Sequence, residues 1–163
     1  MNLAARPWIV ALLAILIALS TATVHAGMTP EEVKAFEGFK ALAERGDRTA
    51  QTNLGNCYYK AYGAVKDQVQ AVMWWRKAAD QGHAQAQFML ALCFDGGLAG
   101  VEKNAIEAYA LYHLGSSFDD LALTNLAKLE KRMSRDEIAA GKKRVKDMQK
   151  EIDARTAAKA AGK

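Results

Sequence analysis

Two histidines, two cysteines and one well-placed serine are where chemistry would begin in residues 27–163. A zinc site built on a helix wants two histidines one turn apart, and a small structural site wants closely spaced Cys/His pairs. His83, His113, Cys57 and Cys93 provide neither spacing. His83 follows Gly82 where a helix would begin, which reads as a surface position. An acyl-transfer enzyme wants a G-x-S-x-G elbow, and a nucleotide site wants a glycine-rich phosphate loop. The chain has neither, and Ser134 heads the run Ser134-Arg135-Asp136-Glu137, a helix cap rather than a nucleophile. The carboxylates are scattered, with no pair suited to acid–base work. Catalytic residues, metal ligands and cofactors are therefore not expected. One feature could still hold a ligand: Trp74 and Trp75 stand side by side, as a stacking platform, a membrane anchor or core.

The elements that would position these residues begin with a leader. Arg6 precedes a continuous apolar run from Trp8 to Leu19, and Val24-His25-Ala26 carries the small residues of a cleavage site. The run is short for a bilayer span, so residues 1–26 read as a signal peptide, with an uncleaved anchor as the alternative. The expected location is periplasmic or secreted, with a mature chain beginning at Gly27. Charge is uneven beyond that point. Residues 27–127 carry nine Lys/Arg and twelve Asp/Glu, whereas residues 128–163 carry twelve and six. The pattern describes an acidic body and a basic carboxy-terminal segment. Such a segment can meet nucleic acid, anionic lipid or acidic protein, but a solvated helix face is the plainer account, and nucleic acid is not favoured.

The chain repeats itself. Ala50 to Tyr59 (AQTNLGNCYY) lies over Ala86 to Asp95 (AQFMLALCFD), and Gly46 lies over Gly82 at the same offset. Asp67 to Trp75 (DQVQAVMWW) lies over Asn104 to Tyr112 (NAIEAYALY), displaced one residue further by an insertion near GGLAGV. A period in the mid-thirties signals helical hairpins, each burying its apolar face on the next. Asp67 with Gln70, Asn104 with Glu107, Thr29 with Glu32 and Ser134 with Glu137 mark helix starts. Gly46, Gly82 and Gly96-Gly97 mark stops. Helices are expected over 30–45, 48–60, 68–81, 84–95, 104–117, 120–132 and 135–153, with no strand.

These residues resemble the Sel-one-like repeat family, relatives of the tetratricopeptide repeats. The first full unit carries Leu54-Gly55, Tyr58, Gly63, Asp67, Ala71, Trp74, Ala78-Ala79 and Gly82 of that pattern. It departs at Ala61 and Ala64, where the family has glycine and valine. The second carries Ala84, Ala86, Leu90, Gly97, Gly100-Val101 and Ala108, with Phe94, Asn104, Ala91 and Leu111 as departures. The resemblance implies an all-α fold: a short right-handed α-solenoid of stacked antiparallel helical hairpins, closed by a basic C-terminal helix. The repeat domain would span 27–133, the capping helix 134–155, and a disordered tail 156–163. Trp74 takes the family's tryptophan position, received by Leu54-Gly55 on the first helix. Trp75, over Tyr112 in the next unit, is read as packing too, with a half-exposed ring that serves a partner as the alternative.

The expected function is a scaffold that binds a protein or peptide on the concave face of the solenoid. Outward positions of the first helices would line that face: Thr52, Asn56 and Tyr59 in one unit, Phe88, Leu92 and Asp95 in the next. The plainer reading has Phe88 and Leu92 packing on a neighbouring helix. The alternative function is an electrostatic adaptor, in which Ile138, Val145, Met148 and Ile152, flanked by lysines, lie on anionic lipid or envelope polymer. An oxidising compartment favours a Cys57–Cys93 disulfide. Their equivalent places on successive first helices instead point both thiols the same way, so two buried free thiols are expected.

Overall fold

Short-range hydrogen bonds set where the helices begin. In the computed structural model, which describes residues 27–162, helix α1 (Pro30–Glu44) starts with Thr29 and Glu32 capping one another. The Glu32 carboxylate accepts from the Thr29 N–H at 2.7 Å, and the Thr29 hydroxyl accepts from the Glu32 N–H at 3.2 Å. Asp47 caps α2 (Arg48–Lys60), Asp67 caps α3 (Gln68–Ala79), and Asn104 caps α5 (Ala105–Leu114). Asp119 caps α6 (Asp120–Glu130), and a second reciprocal pair, Ser134 with Glu137, starts α7 (Arg135–Ala161). Each such cap contributes on the order of 1 kcal/mol. Helix α4 (Ala84–Gly96) has His83 at its cap position without a side-chain cap. The leader reading of residues 1–26 falls outside the described residues.

Two hairpins, α2–α3 and α4–α5, form the body, with α1 packed on α2 and both α6 and α7 packed on α5. No strand occurs among the described residues. The loops inside the hairpins close identically. The Asp67 N–H donates to the Tyr58 carbonyl and the Asn104 N–H to the Phe94 carbonyl, each at 3.0 Å. The fifth helix ends earlier than expected, at Leu114, and a 3₁₀ turn (Gly115–Ser117) follows. That turn sits on α4 so closely that a Cβ on Gly115 would lie 2.9 Å from the Ala84 carbonyl oxygen.

Helix α3 divides two cores. Trp74 belongs to the first, with Phe36, Ala43, Ala50, Leu54, Cys57 and Ala64. Trp75 belongs to the second, with Tyr112, Phe88, Leu90, Ala91 and Leu129 among others. Consecutive residues on a helix point about 100° apart, so neighbouring rings serve different interfaces. Trp75 is packed rather than half-exposed: it is 1% exposed, against 8% for Trp74. Gly55 also receives Trp75 rather than Trp74, since a Cβ there would stand 2.6 Å from the indole. In the second unit the corresponding residues are Ala91 and Tyr112, a larger floor under a smaller ring. Cys57 and Cys93 are both free and buried, and burial raises both thiols, Cys93 to about 11.

Helix α7 runs along the stack as well as closing it. Ile138, Val145 and Met148 pack on the central core, and Gly141 lets the helix approach until a Cβ would stand 2.7 Å from the Tyr109 ring. An alternating chain of charges fastens its side. Asp80 pairs with Arg155 at 3.3 Å, Arg155 with Glu151 at 3.9 Å, Glu151 with Arg144 at 2.9 Å, and Arg144 with Glu107 at 2.8 Å. The helix does not stop at 155 with a disordered tail after it, and residue 163 of that expected tail lies outside the described residues. It continues through Ala161, because residues 156–161 are alanine-rich strong helix formers without Gly or Pro. Lys159 also donates to the Gly46 carbonyl at 3.3 Å and to Gln81 at 3.1 Å.

Candidate functional site

The two hairpins leave a cleft of about 560 Å³ between the carboxy-terminal halves of α2 and α4 and the edge of α3. Tyr59 forms one wall, 39% exposed, its ring 5.5 Å from that of Trp75. Met89 and Leu92 lie on α4, and Leu98, 51% exposed, stands on the loop that follows it. The Trp75 N–H donates to the Asn56 amide oxygen at 3.1 Å, which fixes the indole between the cleft and Gly55. At the other end Asp95 accepts from Arg132 at 2.8 and 3.0 Å and from the Tyr112 hydroxyl at 3.4 Å. Burial first, then the Asp95 charge, holds the Tyr112 phenol far above its ordinary value, so it remains a donor.

Of the six residues expected on the binding face, Tyr59, Leu92 and Asp95 line this cleft. Asn56 stands behind it, as the acceptor for Trp75. Thr52 and Phe88 are not outward, which corrects that part of the expectation. Phe88 is 8% exposed, enclosed by Tyr112 at 6.1 Å and by Phe118 at 5.9 Å, the latter brought over by the 3₁₀ turn. Trp75, Leu98 and Lys103 line the cleft without having been assigned to it from the sequence. The repeat alignment could have found Lys103, which stands over Lys66 one place before the helix cap.

Thr52 is fully buried and bonded to His83. The threonine hydroxyl donates to the Arg48 carbonyl at 3.0 Å, so it meets the histidine Nδ1 at 2.9 Å with a lone pair, and Nδ1 carries the proton. The ring is thereby diverted from capping α4. Burial, and then the Arg48 charge, lowers the His83 pKa from 6.5, with Asp47 opposing. The unfolded chain therefore takes up this proton first as pH falls. Stability from His83 is present above about 6.5 and is lost as pH drops toward the folded-state value. Between about pH 7.5 and about pH 5 the melting temperature should fall more steeply for the natural chain than for His83→Asn. Parallel melting curves check this, and equal slopes would remove His83 as the cause.

A second cleft, about 340 Å³, lies where α7 crosses α3, α4 and α5. Its charged walls are Asp80, Glu107, Arg144, Glu151 and Arg155, the members of the ion chain, so their charge is already matched. Only Arg76 stands outside that chain, and it lies over the Phe94 ring at 5.7 Å. This space is the joint of the closing helix.

The Sel1 repeat family matches residues 49–83 and 84–117, the two hairpins with the turn after each. Among curated proteins the chain is 33% identical over 67 residues to an F-box protein of Arabidopsis thaliana, covering 41% of this chain and 18% of that one. It is 35% identical over 83 residues to DAP3-binding cell death enhancer 1 of Rattus norvegicus, covering 51% and 16%. The chain thus spans less than a fifth of these relatives' length. Among solved structures it is similar to a protective antigen of uropathogenic Escherichia coli with an SLR fold, at TM-score 0.70 and 28% identity. That match covers 86% of this chain and 31% of the antigen. A Sel1 repeat protein from Oxalobacter formigenes gives TM-score 0.54 and 36% identity, over 58% and 39%.

Proposed function

This chain carries two Sel1 repeats on a Sel1-repeat fold, and from that premise we propose that it is a non-catalytic scaffold binding a protein segment in the cleft between its hairpins. The observation that carries the reading is the cleft itself. It joins exposed Tyr59 and Leu98 to Leu92 and Met89, over rigid floors of Trp75 and Tyr112. Large apolar side chains on a supported concave surface are what a captured peptide or helix anchors to. Repeat stacks of this kind present such surfaces because each unit contributes the same face.

The test compares proteins retained by the natural chain with those retained by a Tyr59→Ala/Leu98→Ser variant. Both side chains are exposed, so the melting temperature should hold while affinity for the specific partner drops by about tenfold or more. The competing reading places attachment on α7, whose Lys142, Lys143, Lys146 and Lys150 are exposed. Its apolar stripe is occupied by packing on the core, which leaves those lysines as its means of attachment. Neutralising them with glutamine should leave retention intact. Retention lost with the lysines and kept by the cleft variant would transfer the function to α7.

A further inference from the structure

The charge around the cleft narrows what can enter it. Asp95, the one carboxylate lining it, is already matched by Arg132 and the Tyr112 hydroxyl. Two lysines at its rim, Lys66 and Lys103, make no ion pair among the described residues. Lys66 holds its ammonium 5.8 Å from the centre of the Tyr59 ring. Lys103 lies in the cleft wall with its stem against Gly97, where a Cβ would come within 2.9 Å of its Cγ. Neither position is accidental to the fold. Each lysine immediately precedes a helix cap, Asp67 or Asn104, and each loop is closed by the same backbone hydrogen bond. The repeat therefore sets one cation at the same place in both units. Neither is ion-paired with the acid beside it in sequence. The Asp67 carboxylate is turned to the Gln70 N–H at 2.9 Å as the cap of α3, and Glu102, which shares a second groove with Lys103, forms no salt bridge with it.

We propose that the cleft selects acidic protein segments, seating an apolar side chain among Tyr59, Leu92 and Leu98 while flanking carboxylates meet Lys66 and Lys103. The proposal rests on the reading of the cleft as a protein-binding site and specifies its partner. An exposed lysine–carboxylate pair adds little affinity by itself. Its effect lies in rejecting basic segments and in speeding encounter, both weakened by salt. The apolar anchor supplies the hold.

The experiment selects peptides from a random displayed library on the whole chain, then repeats the selection on two variants. Sequences enriched on the natural chain should combine a large apolar residue with Asp or Glu, acidic outnumbering basic residues by about threefold or more. The Lys66→Glu/Lys103→Glu variant, changed only at exposed positions, should keep its melting temperature and reverse that bias. The Tyr59→Ala/Leu98→Ser variant should lose the enriched peptides altogether. Peptides that need Tyr59 and Leu98 but show no acidic bias would overturn the proposal and leave the cleft as a binding site. Enriched peptides indifferent to Tyr59 and Leu98, or no enrichment at all, would overturn the cleft reading and the proposal together.

Discussion

Replacing Trp75 with alanine is expected to destabilise the fold by roughly 3–5 kcal/mol, the usual range for a buried large aromatic. The ring is 1% exposed and touches both hairpins: it lies over Gly55 on one side and joins the central core with Tyr112 on the other. Its removal opens a void that backbone cannot easily fill, since Gly55 has no side chain to move inward. It also deprives the Asn56 amide of its donor. Trp74→Ala should cost less, although it too is buried. The Trp74 N–H has no hydrogen-bond partner, so truncation there also removes a buried unsatisfied donor, which offsets part of the lost packing. The Lys77 ammonium, 4.1 Å from the Trp74 ring centre, shows that this ring reaches the surface where Trp75 does not. Denaturant midpoints followed by circular dichroism measure both changes. A domain of this size commonly has about 5–15 kcal/mol to lose, so the Trp75 variant should be visibly marginal. A loss below about 1 kcal/mol would mean that the ring is not core at all.

The pair of tryptophans shows where sequence reasoning reached its limit. The repeat offset, the caps at Thr29, Asp67, Asn104 and Ser134, and the all-helical stack follow from local spacing, and local spacing governs them in the structure. Which of two adjacent identical residues meets Gly55 depends on helix rotation within the stack, a tertiary quantity that spacing does not carry. The binding face failed at Thr52 and Phe88 for a related reason. An interior helix of a stack has neighbours on several sides, and the 3₁₀ turn adds another over α4 by bringing Phe118 across Phe88. No period in the sequence announces that turn. Tyr59, Leu92 and Asp95 reach the cleft because they lie nearer the carboxy-terminal ends of α2 and α4, away from the turn. The helix past residue 155 was hidden by composition: an alanine- and lysine-rich end reads equally as tail or as helix until Lys159 finds carbonyls to meet.

The repeat also supplies its own control for the second large effect. Gly63 and Gly100 occupy the same place in the two units, and both have left-handed backbone, with φ of 66° and 76°. Alanine tolerates that region at a cost of roughly 1–2 kcal/mol, and Ala61 and Ala99 already adopt it at 58° and 56°. Gly100→Ala should therefore cost about 1 kcal/mol, because nothing lies within 4 Å of the added Cβ. Gly63→Ala carries the same strain and a collision as well. Its Cβ would stand 2.2 Å from the Glu32 carbonyl oxygen and 2.7 Å from the Phe36 Cβ, both on α1. Backbone cannot rotate away as a side chain can, so α1 must lift from the loop, adding about 1–3 kcal/mol of overpacking. The expected total is roughly 3 kcal/mol, lost mainly where α1 docks, with faster amide exchange in α1 than in α4. Paired denaturation curves and hydrogen exchange measure the difference. Equal costs at the two glycines would show that α1 is not held through this contact, and that the first unit is closed on its amino-terminal side by the Phe36 and Ala43 contacts alone.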